Sequence, residues 1–256
     1  MQLALLSLLL VVLALLTWRA VTRGRGPYRR FKKLTSTRAR RRVYARWLLE
    51  SVLVMGGLSG AVLLASWSYV PLVLRSTQQW PAIAGLRGFL GTPPGIVISI
   101  VALVVIAAAL VAPVLLLRSS ADEADRDGAG VDGIPAVGDI RALLPRVRGE
   151  LKYGAGLGLQ AGLFEELLFR LALPALLFGI VGNGPLAFGL ACVLFGMLHL
   201  YQGPLGILVA ALLGFVFAAL YVLTGSIAAP IALHALVDLR SLVLIPVVAG
   251  GAWKKT

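Results

Sequence analysis

Apolar runs of bilayer-spanning length decide what this chain can fold into. They cover about 3–21, 47–70, 96–117, 156–178, 185–200, 205–223 and 227–248. A run of roughly 18 or more apolar residues with few charges reads as a membrane-spanning helix. Backbone amides in lipid have no water to bond, so a spanning segment is either a helix or a strand of a closed barrel. The weak apolar–polar alternation of a barrel strand is absent here. The expected fold is therefore all-α, a polytopic bundle of about seven transmembrane helices. Only 14% of the residues are charged, against about 25% in a typical soluble domain.

The net charge of +13 does not point to nucleic acid, because of where the charge lies. Half of the 24 basic residues fall between Arg19 and Arg46, and apolar spans flank that stretch on both sides. This is the pattern of a cytoplasmic loop under the positive-inside rule, with anionic lipid head groups as its natural partner. A retained first span with its N-terminus outside, followed by six more, also puts Lys254 and Lys255 in the cytoplasm. The expected location is the cell membrane, multi-pass, with the basic loop and the C-terminus cytoplasmic and no nucleic acid bound. The single cysteine, Cys192, excludes an internal disulfide framework.

Three parts are expected. Residues 1–117 form an N-terminal three-helix membrane region containing the basic loop 19–46. Residues 118–139 hold Asp122, Glu123, Asp125, Asp127 and Asp132 among Ser, Ala and Gly, which reads as a flexible acidic linker. Residues 140–256 form a four-helix membrane region, entered through a basic amphipathic stretch over 140–153 that suits the membrane surface. The stretch 75–95, with three prolines, reads as an outside loop.

Ionisable groups inside a span cost about 2.5–3.5 kcal/mol each on insertion scales, so their default reading is functional. Those singled out inside the last four spans are Glu165, Glu166, Arg170, His199, His234 and Asp238, and the two histidines are the only ones in the chain. Glu166 and Arg170 are spaced i, i+4 for an intrahelical ion pair, while Glu165 lies about 100° away around the helix. Gly154, Gly158 and Gly162 share the face of Glu166 and Arg170 and predict close contact with another helix. His199 follows Phe195 at i, i+4, and His234 precedes Asp238 at the same spacing. Taken singly, each pattern fits a packed polar contact as well as a site. Together they supply what water activation needs, namely a buried carboxylate base beside imidazoles able to serve an oxyanion or a metal.

These residues resemble the motifs of the CPBP family of intramembrane proteases, also called the CAAX-protease or Abi family. Glu-Glu-x-x-x-Arg is matched by Glu165, Glu166 and Arg170. Phe-x-x-x-His is matched by Phe195 and His199. His-x-x-x-Asn is matched at His234, with Asp238 in place of Asn. The resemblance covers about 156–239. It implies an intramembrane endopeptidase that hydrolyses a peptide bond in a membrane-embedded or lipid-linked protein or peptide by glutamate-activated water. Glu165 would be the base, His199 and His234 would position water or stabilise the oxyanion, Asp238 would replace the Asn partner, and Glu166, Arg170 and Phe195 would support them. Members are often labelled metalloproteases. A divalent metal such as zinc would draw on His199, His234 and Asp238, since Asp is a better metal ligand than Asn and a worse hydrogen-bond donor. The alternative is a non-catalytic bacteriocin-immunity or scaffold protein of the same fold. His-Glu-x-x-His is absent, against a site-2-type zinc protease. Gly57-Leu58-Ser59-Gly60 matches the rhomboid Gly-x-Ser-Gly, but a small-residue packing face is the simpler account.

Overall fold

The computed structural model describes residues 2–124, 141–248 and 252. Among them every regular element is helical. The N-terminal part comprises α1 (Gln2–Arg25), α2 (Pro27–Lys32), α3 (Thr37–Ser51), α4 (Gly57–Ser66), α5 (Val70–Gln78), α6 (Pro81–Leu90) and α7 (Pro93–Ala124). Then come α8 (Arg148–Glu166), α9 (Leu173–Val181), α10 (Gly184–Met197), α11 (Gly203–Thr224), α12 (Ala228–Leu239) and α13 (Ile245–Val248). The polytopic membrane bundle expected from the apolar runs is what forms. Gln2–Val21, Thr37–Gln78, Pro93–Leu116, Leu200–Thr224 and Ala228–Val248 are each long and apolar enough to cross a membrane, and Gly184–Met197 is a shorter apolar helix. The remaining expected span, over 156–178, is helical but carries Glu165, Glu166 and Arg170.

Three local expectations are corrected. The stretch 75–95 is largely helix rather than loop, because its prolines fall at helix starts: Pro81 opens α6 and Pro93 opens α7. There the missing N–H and the fixed φ cost nothing. No separate surface helix covers 140–153. A short 3₁₀ turn at Arg141–Leu143 is followed by α8, which begins at Arg148 and runs without a break to Glu166. Gly60, read as part of a packing face, meets nothing, whereas Gly56 lies against the Phe164 ring. Helix α7 continues to Ala124; the rest of the expected acidic linker, and Lys254 and Lys255, lie outside the described residues.

The main core draws on both sides of that linker. Leu5, Val12 and Leu16 of α1, with Met55, Val62 and Val73, pack against Leu168, Phe169, Leu173, Leu176, Phe188, Phe195 and Tyr221. Two serines reinforce the seam. Ser59 Oγ lies 2.6 Å from Met55 O in its own helix and 3.0 Å from Phe164 O across the interface. Ser66 repeats the arrangement with Val62 O at 2.7 Å and Ala172 O at 3.3 Å. Ser59 is thus occupied as a helix-packing residue, whereas Gly57 and Gly60 of the rhomboid-like tetrapeptide meet nothing.

The basic stretch is less exposed than its charge implies. Arg29, Arg30, Lys32, Lys33, Arg38 and Arg42 are exposed, but Arg40 is buried. Its Nε donates to Glu150 Oε1 at 3.0 Å, and its Nη2 donates to Tyr44 Oη and to the carbonyls of Ala142 and Leu144. The other Glu150 oxygen accepts from the Arg146 amide at 2.9 Å. This buried pair fixes the start of α8 against α3.

Candidate active site

The glycine seam sets the register of the site. A Cβ built on Gly154 would meet Leu242 O at 2.6 Å, one on Gly158 would meet Asp238 Cβ at 3.0 Å, and one on Gly162 would meet Ala235 N at 2.8 Å. As the numbers rise along α8 they fall along α12, so the two helices are antiparallel, and the missing side chains let the backbones touch. That contact slides His234 and Asp238 alongside Glu165 and Glu166.

Both helices change pitch at the site. A π turn at Leu167–Ala172 follows Glu166 and a second at Arg240–Leu244 follows Leu239. Each ends two residues before a proline, Pro174 or Pro246. A proline cannot donate to the carbonyl four residues back, and such interruptions are where π turns arise, often at functional positions.

Below the cavity lies a fully buried chain of charges. Arg170 Nε is 3.0 Å from Glu166 Oε2, and Glu166 Oε1 is 2.8 Å from His234 Nδ1. A carboxylate paired with arginine can only accept, so His234 Nδ1 carries the proton. The Arg170 guanidinium sits 4.9 Å from the Phe195 ring centre and 5.7 Å from that of Phe217, and His234 stacks on Phe217 at 4.9 Å. Aromatic faces thus hold the cation and the imidazole in place.

His199 is just past the end of α10, where the chain leaves the helix through a 3₁₀ turn at Leu200–Gln202. Its Nδ1 is 2.9 Å from Phe195 O. A carbonyl only accepts, so Nδ1 is the protonated nitrogen and Nε2 is the ring's remaining acceptor. The Phe195 ring touches both imidazoles, at 5.0 Å from His199 and 5.9 Å from His234. Gly214 leaves room for it, since a Cβ there would come within 3.0 Å of Phe195 Cδ1. Gly225, in the left-handed conformation (φ 71°), ends α11 and turns the chain into α12.

Glu165, His199, His234 and Asp238 all line one cavity of about 750 Å³. Glu165 and His199 are half-buried on its wall, while Glu166 and Arg170 lie fully buried beneath it. Its lining also includes Leu157, Gln160 and Ala161 from α8, Tyr201 and Gln202 from the turn after His199, Tyr28 and Trp47 from the N-terminal part, and Pro113 from α7. The sequence reading singled out none of these eight. Leu157 and Ala161 stand eight and four residues before Glu165 on its own helix, with Gln160 three beyond Leu157, so helical spacing reaches those three; the other five come from turns and helices far apart in the chain, where no periodicity marks them. It also paired Glu166 with Arg170 alone and did not see that the same carboxylate anchors His234.

Among the described residues, no group of three or more His, Cys, Asp or Glu side chains is gathered closely enough to hold a metal ion. His234 Nδ1 is committed to Glu166, its Nε2 stands 3.8 Å from Asp238 Oδ2, and Phe195 packs on both rings.

Residues 149–240 match the family model for Rce1-like type II CAAX prenyl endopeptidases. The matched segment holds Glu165, Glu166, Arg170, His199, His234 and Asp238. No curated protein and no solved structure matches the chain.

Proposed function

We propose that the chain, which matches the Rce1-like CAAX prenyl endopeptidase model over residues 149–240 and carries the motifs of the CPBP family there, is an intramembrane endopeptidase working through glutamate-activated water. Family and fold support membrane-embedded protease activity in general; the mechanism is read from the site. The carrying observation is that Glu165, His199, His234 and Asp238, contributed by three separate segments of the chain, line a single cavity.

In this reading the substrate's scissile peptide bond lies in the cavity beside Glu165. The Nε2 atom of His199 or of His234, left as an acceptor by a bonded Nδ1–H, holds one O–H of the attacking water, and the other O–H points to Glu165. Glu165 takes a proton from that water as its oxygen bonds to the carbonyl carbon, and delivers the proton to the leaving amine as the C–N bond breaks. The Arg170–Glu166 pair fixes the His234 ring and its tautomer. A carboxylate behind an imidazole does the same for metal-ligating histidines. The mostly apolar lining suits a membrane-embedded or lipid-linked peptide.

The exposed basic residues of α2 and α3 support anionic lipid head groups as the contact of that face, and with them a cytoplasmic location for the basic stretch. Arg38, Arg41 and Arg42 line one shallow cleft there with Tyr153.

The test is Glu165→Gln in proteoliposomes, assayed on a prenylated CAAX-type peptide. Cleavage should fall by about 10²–10⁴-fold, the usual worth of a general base, with the melting temperature unchanged because Glu165 is only half-buried. Full activity in the folded variant would remove the protease assignment from these residues. The immunity or scaffold reading would then replace it.

A further inference from the structure

Helix α7 is the least anchored long helix of the bundle. From Ile96 to Leu116 most of its large side chains face outward, Leu103 and Val104 at 64% and 62% exposure. Yet Pro113 and Leu116 of this helix form part of the cavity wall. Contacts tie this wall to the last helices. Val114 packs on the small cluster of Leu144 and Ile245, and Arg240 Nη1 donates to Ala109 O at 3.0 Å.

The second contact is chemically pointed. Pro113 has no N–H, so within α7 the carbonyl four residues earlier, that of Ala109, lacks its usual helical donor. In lipid no water supplies one, and an unmet backbone carbonyl is costly there. The guanidinium that fills the gap belongs to the first residue of the π turn after α12, two positions beyond Asp238. Arg240 itself lines the cavity.

We propose that Arg240 is a positioning residue that latches α7 at its proline break, so that the lipid-facing wall of the substrate cavity is held by the helix that carries His234 and Asp238. Loosening the latch lets α7 swing away about Pro113 and opens the cavity sideways to lipid. This is the direction from which a membrane-bound chain would enter. The effect on substrate rests on the endopeptidase reading; the latch itself does not.

The experiment separates the two. Spin labels go on exposed Val104 and Leu236 (62% and 53% exposed) in a Cys192→Ala background, and their distances are measured in nanodiscs. The parent should give one narrow distribution and Arg240→Leu a broadened or longer one. Arg240→Lys, which keeps one donor, should stay close to the parent. Pro113→Ala restores an N–H for the Ala109 carbonyl and weakens its hold on Arg240. It should therefore broaden the distribution alone and add little to Arg240→Leu, since both break one contact. In the peptide assay Arg240→Leu should raise KM about tenfold, in keeping with loss of one charge-assisted hydrogen bond, and leave kcat nearly unchanged. A parent-like distance distribution in Arg240→Leu, or fully additive effects of the two substitutions, overturns the latch. A fall in kcat with unchanged KM overturns the positioning role. If the parent cleaves nothing, the endopeptidase reading fails and the distances still decide the latch.

Discussion

His234 Nδ1 and Glu166 Oε1, 68 residues apart in the chain, are 2.8 Å apart in the bundle. The carboxylate that the motif spacing assigns to Arg170 thus serves two partners on two helices. A buried ion pair that also orients an imidazole is more sensitive to loss of one member than a pair on a surface.

Glu166→Gln removes the charge between Arg170 and His234 while keeping the shape. It leaves a buried guanidinium without its counter-charge, which should cost on the order of 3–5 kcal/mol. Thermal unfolding in detergent would show it as a clear drop in Tm. Arg170→Gln should do the same, and the double substitution should cost less than the sum because the partners share one interaction. An unchanged melting curve for Glu166→Gln would rule out the buried-pair description.

The glycines of α8 and α4 should respond in opposite ways. Gly162→Ala places a methyl 2.8 Å from the Ala235 nitrogen, and forcing α8 from α12 should cost about 1–3 kcal/mol. Nothing lies within 4 Å of the corresponding position on Gly60, so Gly60→Ala should be neutral or stabilise by up to about 1 kcal/mol through helix propensity. Equal effects of the two changes on the melting temperature would contradict the seam.

The two arginine–glutamate pairs of the basic stretch should also differ. Arg40 and Glu150 are 1% exposed each, whereas Arg46 and Glu50 are 78% and 40% exposed. Arg40→Leu should destabilise by about 3–5 kcal/mol by stranding the Glu150 carboxylate. Arg46→Leu should change stability by no more than about 0.5 kcal/mol. Comparable losses in a chemical-denaturation series would refute the difference in burial.

Asp238→Asn tests whether the carboxylate matters as a ligand. The His234 Nε2 to Asp238 Oδ2 separation of 3.8 Å is too long for a direct hydrogen bond. Asparagine should therefore keep activity within about tenfold, the scale of one lost polar contact, and chelators should leave the parent enzyme active. Strong inhibition by a chelator, reversed by zinc, would instead assign a metal to His199, His234 and Asp238.

The sequence by itself determined the class of fold and singled out the residues of the candidate site. Apolar runs of bilayer length can be satisfied only by helices. An ionisable residue inside such a run is too expensive to be incidental, so Glu165, Glu166, Arg170, His199, His234 and Asp238 could be picked out one helix at a time. The i, i+4 pairing of Glu166 with Arg170 and the close packing of the Gly154–Gly158–Gly162 face were legible because both are properties of one helix. Which helix meets that face, that Glu166 reaches His234, that Arg40 is buried rather than facing head groups, and that Arg240 caps the carbonyl freed by Pro113 are relations between segments up to 131 residues apart. Helical periodicity fixes which way a side chain points around its own axis. It carries no information about the neighbour it meets, and that is decided when close-packed helices settle into one mutual register.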